Sequence, residues 1–180
     1  PKTLAEATAL LQQPGVYPLY GGAALQRSAN PDVTAGVDLS QLELNYIRDS
    51  KNSLRLGSML SLEQVRQAFT ERHDESPKLA GLAQIMLDEM PEVQRNTVTL
   101  GDLMMERDPY SPTLTALLAL GAIVKRIDLE MRFTMTAWLM MRQDFSRWLL
   151  GQVRVTRGSA QRCAVARWAS SSSPSSCSPT

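Results

Sequence analysis

Two short turns constrain this chain more than any other feature. The first is Leu19-Tyr20-Gly21-Gly22-Ala23-Ala24-Leu25, where an apolar run ends in paired glycines. The second is Arg95-Asn96-Thr97-Val98-Thr99-Leu100-Gly101-Asp102, where hydroxyl residues lead into a glycine between two apolar segments. Turns of this kind offer backbone N–H groups outside a regular ladder, and glycine brings no Cβ to keep a ligand at a distance. They suit phosphate oxygens. An ordinary tight turn explains a lone Gly-Gly better than a binding site does. It is therefore the pair that carries the expectation of one anionic ligand lying between two turns.

The rest of the composition bounds the problem. With 180 residues, 43% of them apolar, the chain can build one globular domain or two small subdomains sharing a cleft. A formal net charge of +1 gives no global signal for nucleic acid or a membrane surface. The longest apolar run, residues 114–124, falls short of the ~20 residues that a bilayer-spanning helix needs. The first residues read as a capped helix and not as a signal peptide, so the expectation is a cytoplasmic protein. Cys163 and Cys177 stand at no metal-ligand spacing and read as free thiols. His73 sits in a charged turn without a partner at catalytic or metal spacing, and Asp88-Glu89 reads as a solvated helix end. No catalytic residue and no metal ligand is expected.

Taken in order, Thr3-Leu4-Ala5-Glu6 is a capping box opening a helix that Pro14-Gly15 stops. Residues 16–20 read as a strand running into Gly21-Gly22. A short strand and turn follow over 33–44, centred on Val37-Asp38-Leu39-Ser40. Tyr46-Ile47-Arg48 and Ser53-Leu54-Arg55-Leu56-Gly57 read as a hairpin around residues 49–52. Ser61-Leu62-Glu63-Gln64 opens a second helix, to about Glu71. Pro77 opens a third, with Leu79, Leu82, Ala83, Ile85 and Met86 on its apolar face and Pro91 at its end. Residues 113–120 form a helix closed by Gly121. Residues 122–127 and 131–135 alternate as a hairpin, and helical character resumes over 136–141. Met104, Met105, Met131, Met135, Met140 and Met141 read as core filling. From about Arg154 the pattern decays. Arg154, Arg157, Arg162 and Arg167 have no acidic neighbours, and residues 170–176 are low complexity. The shift resembles a frameshifted or otherwise non-native end.

The order of these elements over residues 1–150 resembles the flavin-binding domain of the molybdenum hydroxylases, as in the carbon monoxide dehydrogenase medium subunit and the xanthine dehydrogenase middle domain. The resemblance is carried by the capped helix, Gly21-Gly22, Val37-Asp38-Leu39, Leu54-Arg55-Leu56-Gly57, Arg95-Asn96 with Thr99-Leu100-Gly101, Pro109-Tyr110-Ser111 and Leu117-Leu118-Ala119-Leu120. It implies an α+β, PCMH-like fold: a small N-terminal α/β subdomain (1–52) and a larger one (53–153) with an antiparallel sheet flanked by helices. Residues 154–180 would be a tail. It implies FAD as cofactor, with Gly21, Gly22, Thr99 and Gly101 in contact with it. It also implies an electron-transfer role: electrons pass from an iron–sulfur partner to NAD or a quinone-like acceptor, in a complex with iron–sulfur and molybdopterin subunits.

Six positions depart from the family pattern. Ala23-Ala24 supply no hydroxyl after the glycine pair. Asp102 and Leu103 stand where a glycine and an asparagine are expected, and Pro112 and Gly121 where aspartates are. A carboxylate at 102 is expected to face the pyrophosphate and repel it. The alternative is accordingly a degenerate homologue that has lost FAD and serves as a structural or partner-binding subunit.

Overall fold

The computed structural model describes residues 1–23, 32–50, 52–72, 74, 76–126, 132–140 and 150–156. Helix α1 (Leu4–Leu11) starts where Thr3 Oγ1 accepts the Glu6 amide at 3.2 Å. The box is half made, because the Glu6 carboxylate accepts from Lys2 N instead of reaching back to Thr3. Gly15, at φ +75°, turns the chain into β1 (Val16–Leu19). This strand pairs in parallel with β2 (Ala35–Asp38), and Ala7, Leu11, Val16 and Val37 are buried together.

The second sheet is antiparallel throughout. Its strands are β3 (Ile47–Ser50), β4 (Ser53–Gly57), β5 (Ile123–Arg126), β6 (Arg132–Thr134) and β7 (Leu150–Thr156), in the order β3-β4-β7-β5-β6. Side chains alternate between faces along a strand, so pairing in register stacks like residues on one side. Leu56, Val153, Val124 and Phe133 form such a row across four strands, with Leu54 opposite Val155 beside it. None of these six is more than 7% exposed.

Helices α2 (Leu62–Thr70), α3 (Pro77–Glu89), α4 (Glu92–Thr97), α5 (Leu100–Glu106), α6 (Pro112–Ala119) and α7 (Met135–Met140) complete the fold. Ser61 makes both arms of its capping box, at 3.2 and 3.0 Å. Phe69, Leu79, Leu82, Leu100, Leu103 and Met104 fill the core between the helices. Met104 and Met135 are buried there, as core filling requires. The expected α+β class, with a small parallel unit and a larger antiparallel sheet, is the observed one.

Three expectations are corrected. Residues 95–102 are two short helices, α4 and α5, joined through Val98 and Thr99, and not a single turn. The boundary between residues 52 and 53 cuts through the β3–β4 hairpin, which belongs whole to the larger sheet. Residues 154–156, assigned to the tail, are the end of β7, the central strand. His73, Met131, Met141, Cys163, Cys177, the arginines from 157 onward and the segment 170–176 lie outside the described residues.

Gly57 closes β4 against the chain at Leu44. A Cβ there would lie 2.0 Å from the Leu44 carbonyl oxygen, a backbone atom with little freedom to retreat. Gly57→Ala is expected to lower stability by about 1–3 kcal/mol, the usual range for forced overpacking. A lower urea midpoint at unchanged slope would report it.

Candidate functional site

The second glycine turn is stitched to the connection between β4 and α2. Leu62 N donates to Val98 O at 2.9 Å, Leu100 N to Leu60 O at 2.8 Å, and Gly101 N to Ser58 O at 2.8 Å. An ion cluster holds the approach to it. The buried Arg95 on α4 donates Nε to Glu63 Oε2 on α2 at 2.6 Å and its η1 nitrogen to Met90 O. Arg66 donates to Glu63 Oε1 at 2.9 and 2.5 Å. Bonding from Arg66 first, and then from Arg95, overcomes the cost of burial and holds the Glu63 carboxyl at about 2.

The first glycine turn comes off the end of β1 and meets the second directly. Tyr20 lays its ring on Gly101, where a Cβ would fall 2.4 Å from Cγ and Cδ1. At Gly21 a Cβ would fall 2.6 Å from Asp102 Oδ2 and 2.8 Å from Thr97 O. These two glycines therefore serve the close approach of the chain to itself. Gly22 differs: it sits at φ +86° and, among the described residues, nothing lies within 4 Å of the place a Cβ would take.

One oxygen lies between the turns. Asp102 Oδ2 accepts from Gly21 N at 2.9 Å, from Thr99 N at 3.2 Å and from Thr99 Oγ1 at 2.9 Å. Thr99 Oγ1 in turn accepts from Asp102 N at 3.1 Å. Asp102 is 2% exposed. Two amides and a hydroxyl converging on one point form a donor set for an oxyanion, and here the chain supplies the oxyanion itself. The donor chemistry and the open backbone at Gly22 fit the phosphate part of a nucleotide cofactor.

Of the four predicted contact residues, Gly21 and Thr99 meet on Asp102, Gly101 lies against Tyr20, and Gly22 adjoins Gly21 in the chain. Their amides are not equally disposed. Those of Gly21 and Thr99 hold Asp102, and that of Gly101 holds Ser58 O. Asp102 is buried and bonded to both turns, which the expectation of a carboxylate simply facing the ligand did not foresee. Leu103 is 1% exposed and packed in the core. Pro112 is the first residue of α6, behind the N-cap Ser111. Ser111 Oγ donates to Glu89 Oε1 at 2.5 Å, and Thr113 N to Glu89 Oε2 at 2.8 Å. Glu89 thereby caps α6 from α3, which corrects its reading as a solvated helix end. Asp88 is exposed and accepts from Gln84. Ser58 was not anticipated. It is 2% exposed beside Gly101, and its hydroxyl has no partner among the described residues. No motif marks it, since only the pairing of 58–62 with 98–101 brings it there.

A family comparison agrees with this architecture. Residues 1–153 match the family described as the FAD binding domain in molybdopterin dehydrogenase. The chain belongs to that family, whose cofactor is FAD. Its fold is also that of solved oxidoreductase chains. It is similar to the Cu,Mo-CO dehydrogenase in its cyanide-inactivated form (TM-score 0.72, 19% identity) and to the reconstituted CO dehydrogenase from Oligotropha carboxidovorans (0.68, 20%). Quinoline 2-oxidoreductase from Pseudomonas putida 86 is a third (0.67, 18%). Each alignment covers 88% of this chain and 58% of the other, so this chain spans less than two thirds of the chains it matches. A comparison with curated proteins returned no match. Among the described residues, no helix is long and apolar enough to cross a membrane.

Two outcomes follow for the scaffold of the site. Glu63 is depressed from an ordinary 4.5 to about 2, so its contribution to stability is complete above pH 4.5 and is lost as pH falls toward 2. Urea midpoints of the wild type should therefore drop more steeply over that window than those of Glu63→Gln. Gly101→Ala should cost about 1–3 kcal/mol by driving a methyl group into Tyr20, read as a lower melting temperature.

Proposed function

We propose that this chain is the FAD-binding part of an electron-transferring flavoprotein subunit in a molybdenum hydroxylase-type oxidoreductase. Its partners would be iron–sulfur and molybdopterin subunits, and its compartment the cytoplasm. The observation that carries the reading is the convergence of Gly21 N, Thr99 N and Thr99 Oγ1 on one oxyanion position, within a chain of the FAD-binding family.

The chain's own part is binding and orientation. Gly22 would present its open backbone to the cofactor's phosphates. Gly21 N, Thr99 N and Thr99 Oγ1 would supply further donors, and Gly101 lets Tyr20 close the two turns together. Neutral amides can hold a dianion here without lysine side chains. Bound FAD would supply the redox chemistry, taking electrons from an iron–sulfur partner and passing them to NAD or a quinone-like acceptor. No side chain of this site is assigned a proton-transfer or covalent role, so the chain is not proposed to catalyse a reaction alone.

The test is direct. The purified chain should show flavin absorbance that is released as free FAD on denaturation. After stripping, FAD at a hundred times its Kd should stabilise the fold by about 2.7 kcal/mol. A colourless chain whose melting temperature ignores added FAD would overturn the reading and favour a relative that keeps only the fold.

A further inference from the structure

We infer that Asp102 is a built-in occupant of the phosphate cradle, which cofactor phosphate must displace to gain the donors of Gly21 and Thr99. The inference rests on the FAD-binding reading above and concerns how that same site is filled.

A capping role alone does not account for the geometry. A residue at the third position of a helix ordinarily reaches back to its own N-cap, and Asp102 does so with Thr99. The same Oδ2 also takes the amide of Gly21, 81 residues away, at 2.9 Å. It does this where the two turns touch, and it is buried while doing so. The carboxylate thus satisfies backbone donors that would otherwise be orphaned in the empty cradle, which is costly for buried N–H groups. When a phosphate oxygen arrives, the same donors cannot serve both anions fully, and the two negative charges repel at close range. Asp102 therefore stabilises the empty form and opposes the loaded one. It acts on affinity in the direction opposite to a contact residue.

The experiment compares the wild type with Asp102→Asn and Asp102→Gly by titration with FAD, ADP and riboflavin. Asparagine keeps the size of the side chain and an acceptor for Gly21 N while removing the charge. Glycine removes the occupant altogether. Both variants should bind FAD at least about tenfold more tightly, since a close like charge is removed. ADP, which carries the diphosphate, should gain similarly, and riboflavin, which carries none, should not change. Without ligand, Asp102→Gly should melt at a lower temperature than the wild type. If Asp102→Gly does not fold, as judged by circular dichroism, Asp102→Asn alone decides. A wild type that binds FAD, with variants that bind it no better or worse, overturns the inference and leaves the function standing. A gain that extends equally to riboflavin also overturns it, because the effect would then not lie at the phosphates. If none of the three proteins binds FAD or ADP, the functional reading fails and takes the inference with it.

Discussion

A single carboxylate oxygen ties together segments of the chain that are 81 residues apart. Asp102 Oδ2 is the point at which the end of β1, from the small parallel unit, is hydrogen-bonded to the start of α5, from the larger one. Everything around it serves that junction. The backbone bonds between 58–62 and 98–101 fix the height of Thr99 over the edge of the large sheet. The Glu63–Arg95 pair fixes the helix that leads into it. The ring of Tyr20 on Gly101 sets the distance of closest approach. A charged group can remain in so enclosed a place because three donors meet it, two of them rigid backbone amides.

The same arrangement explains why three nearby glycines are not interchangeable. Gly21 and Gly101 are small because protein atoms crowd them, whereas Gly22 has a left-handed backbone and open space. Only the last has the character usually sought in a glycine that lets a ligand approach. The family match rests on the pattern of the whole chain, whereas the convergence of donors between the two turns rests on a few atoms.

Much of the fold was legible because local rules were obeyed. Ser61 and Gln64, Pro77, and the alternation of Leu54 and Leu56 each state their element within a few residues. The meeting of the two turns was legible from their like chemistry and from family resemblance, since nothing within either turn names the other. What escaped was non-local. β7 carries Gly151, Gln152 and Arg154 among its apolar residues, and its identity as a strand comes from being paired on both sides with β4 and β5. Glu89 looked solvated because its partners, Ser111 and Thr113, lie over twenty residues onward. The bond of Asp102 to Thr99 follows the spacing of a capping box, but its bond to Gly21 depended on a rotamer that no spacing rule reports.

The position of β7 has a consequence for how the molecule is made. The β3–β4 hairpin is complete by residue 57 and the β5–β6 hairpin by residue 134, and each keeps one edge of unpaired N–H and C=O groups until residues 150–156 emerge between them. A growing chain therefore carries one sticky border once β4 is made and a second once β6 is made, a situation that invites strand addition from neighbouring molecules. The last described strand acts as a keystone: it joins β4 to β5, and its pairing with β4 brings together residues about a hundred positions apart, the long-range kind of contact that slows folding.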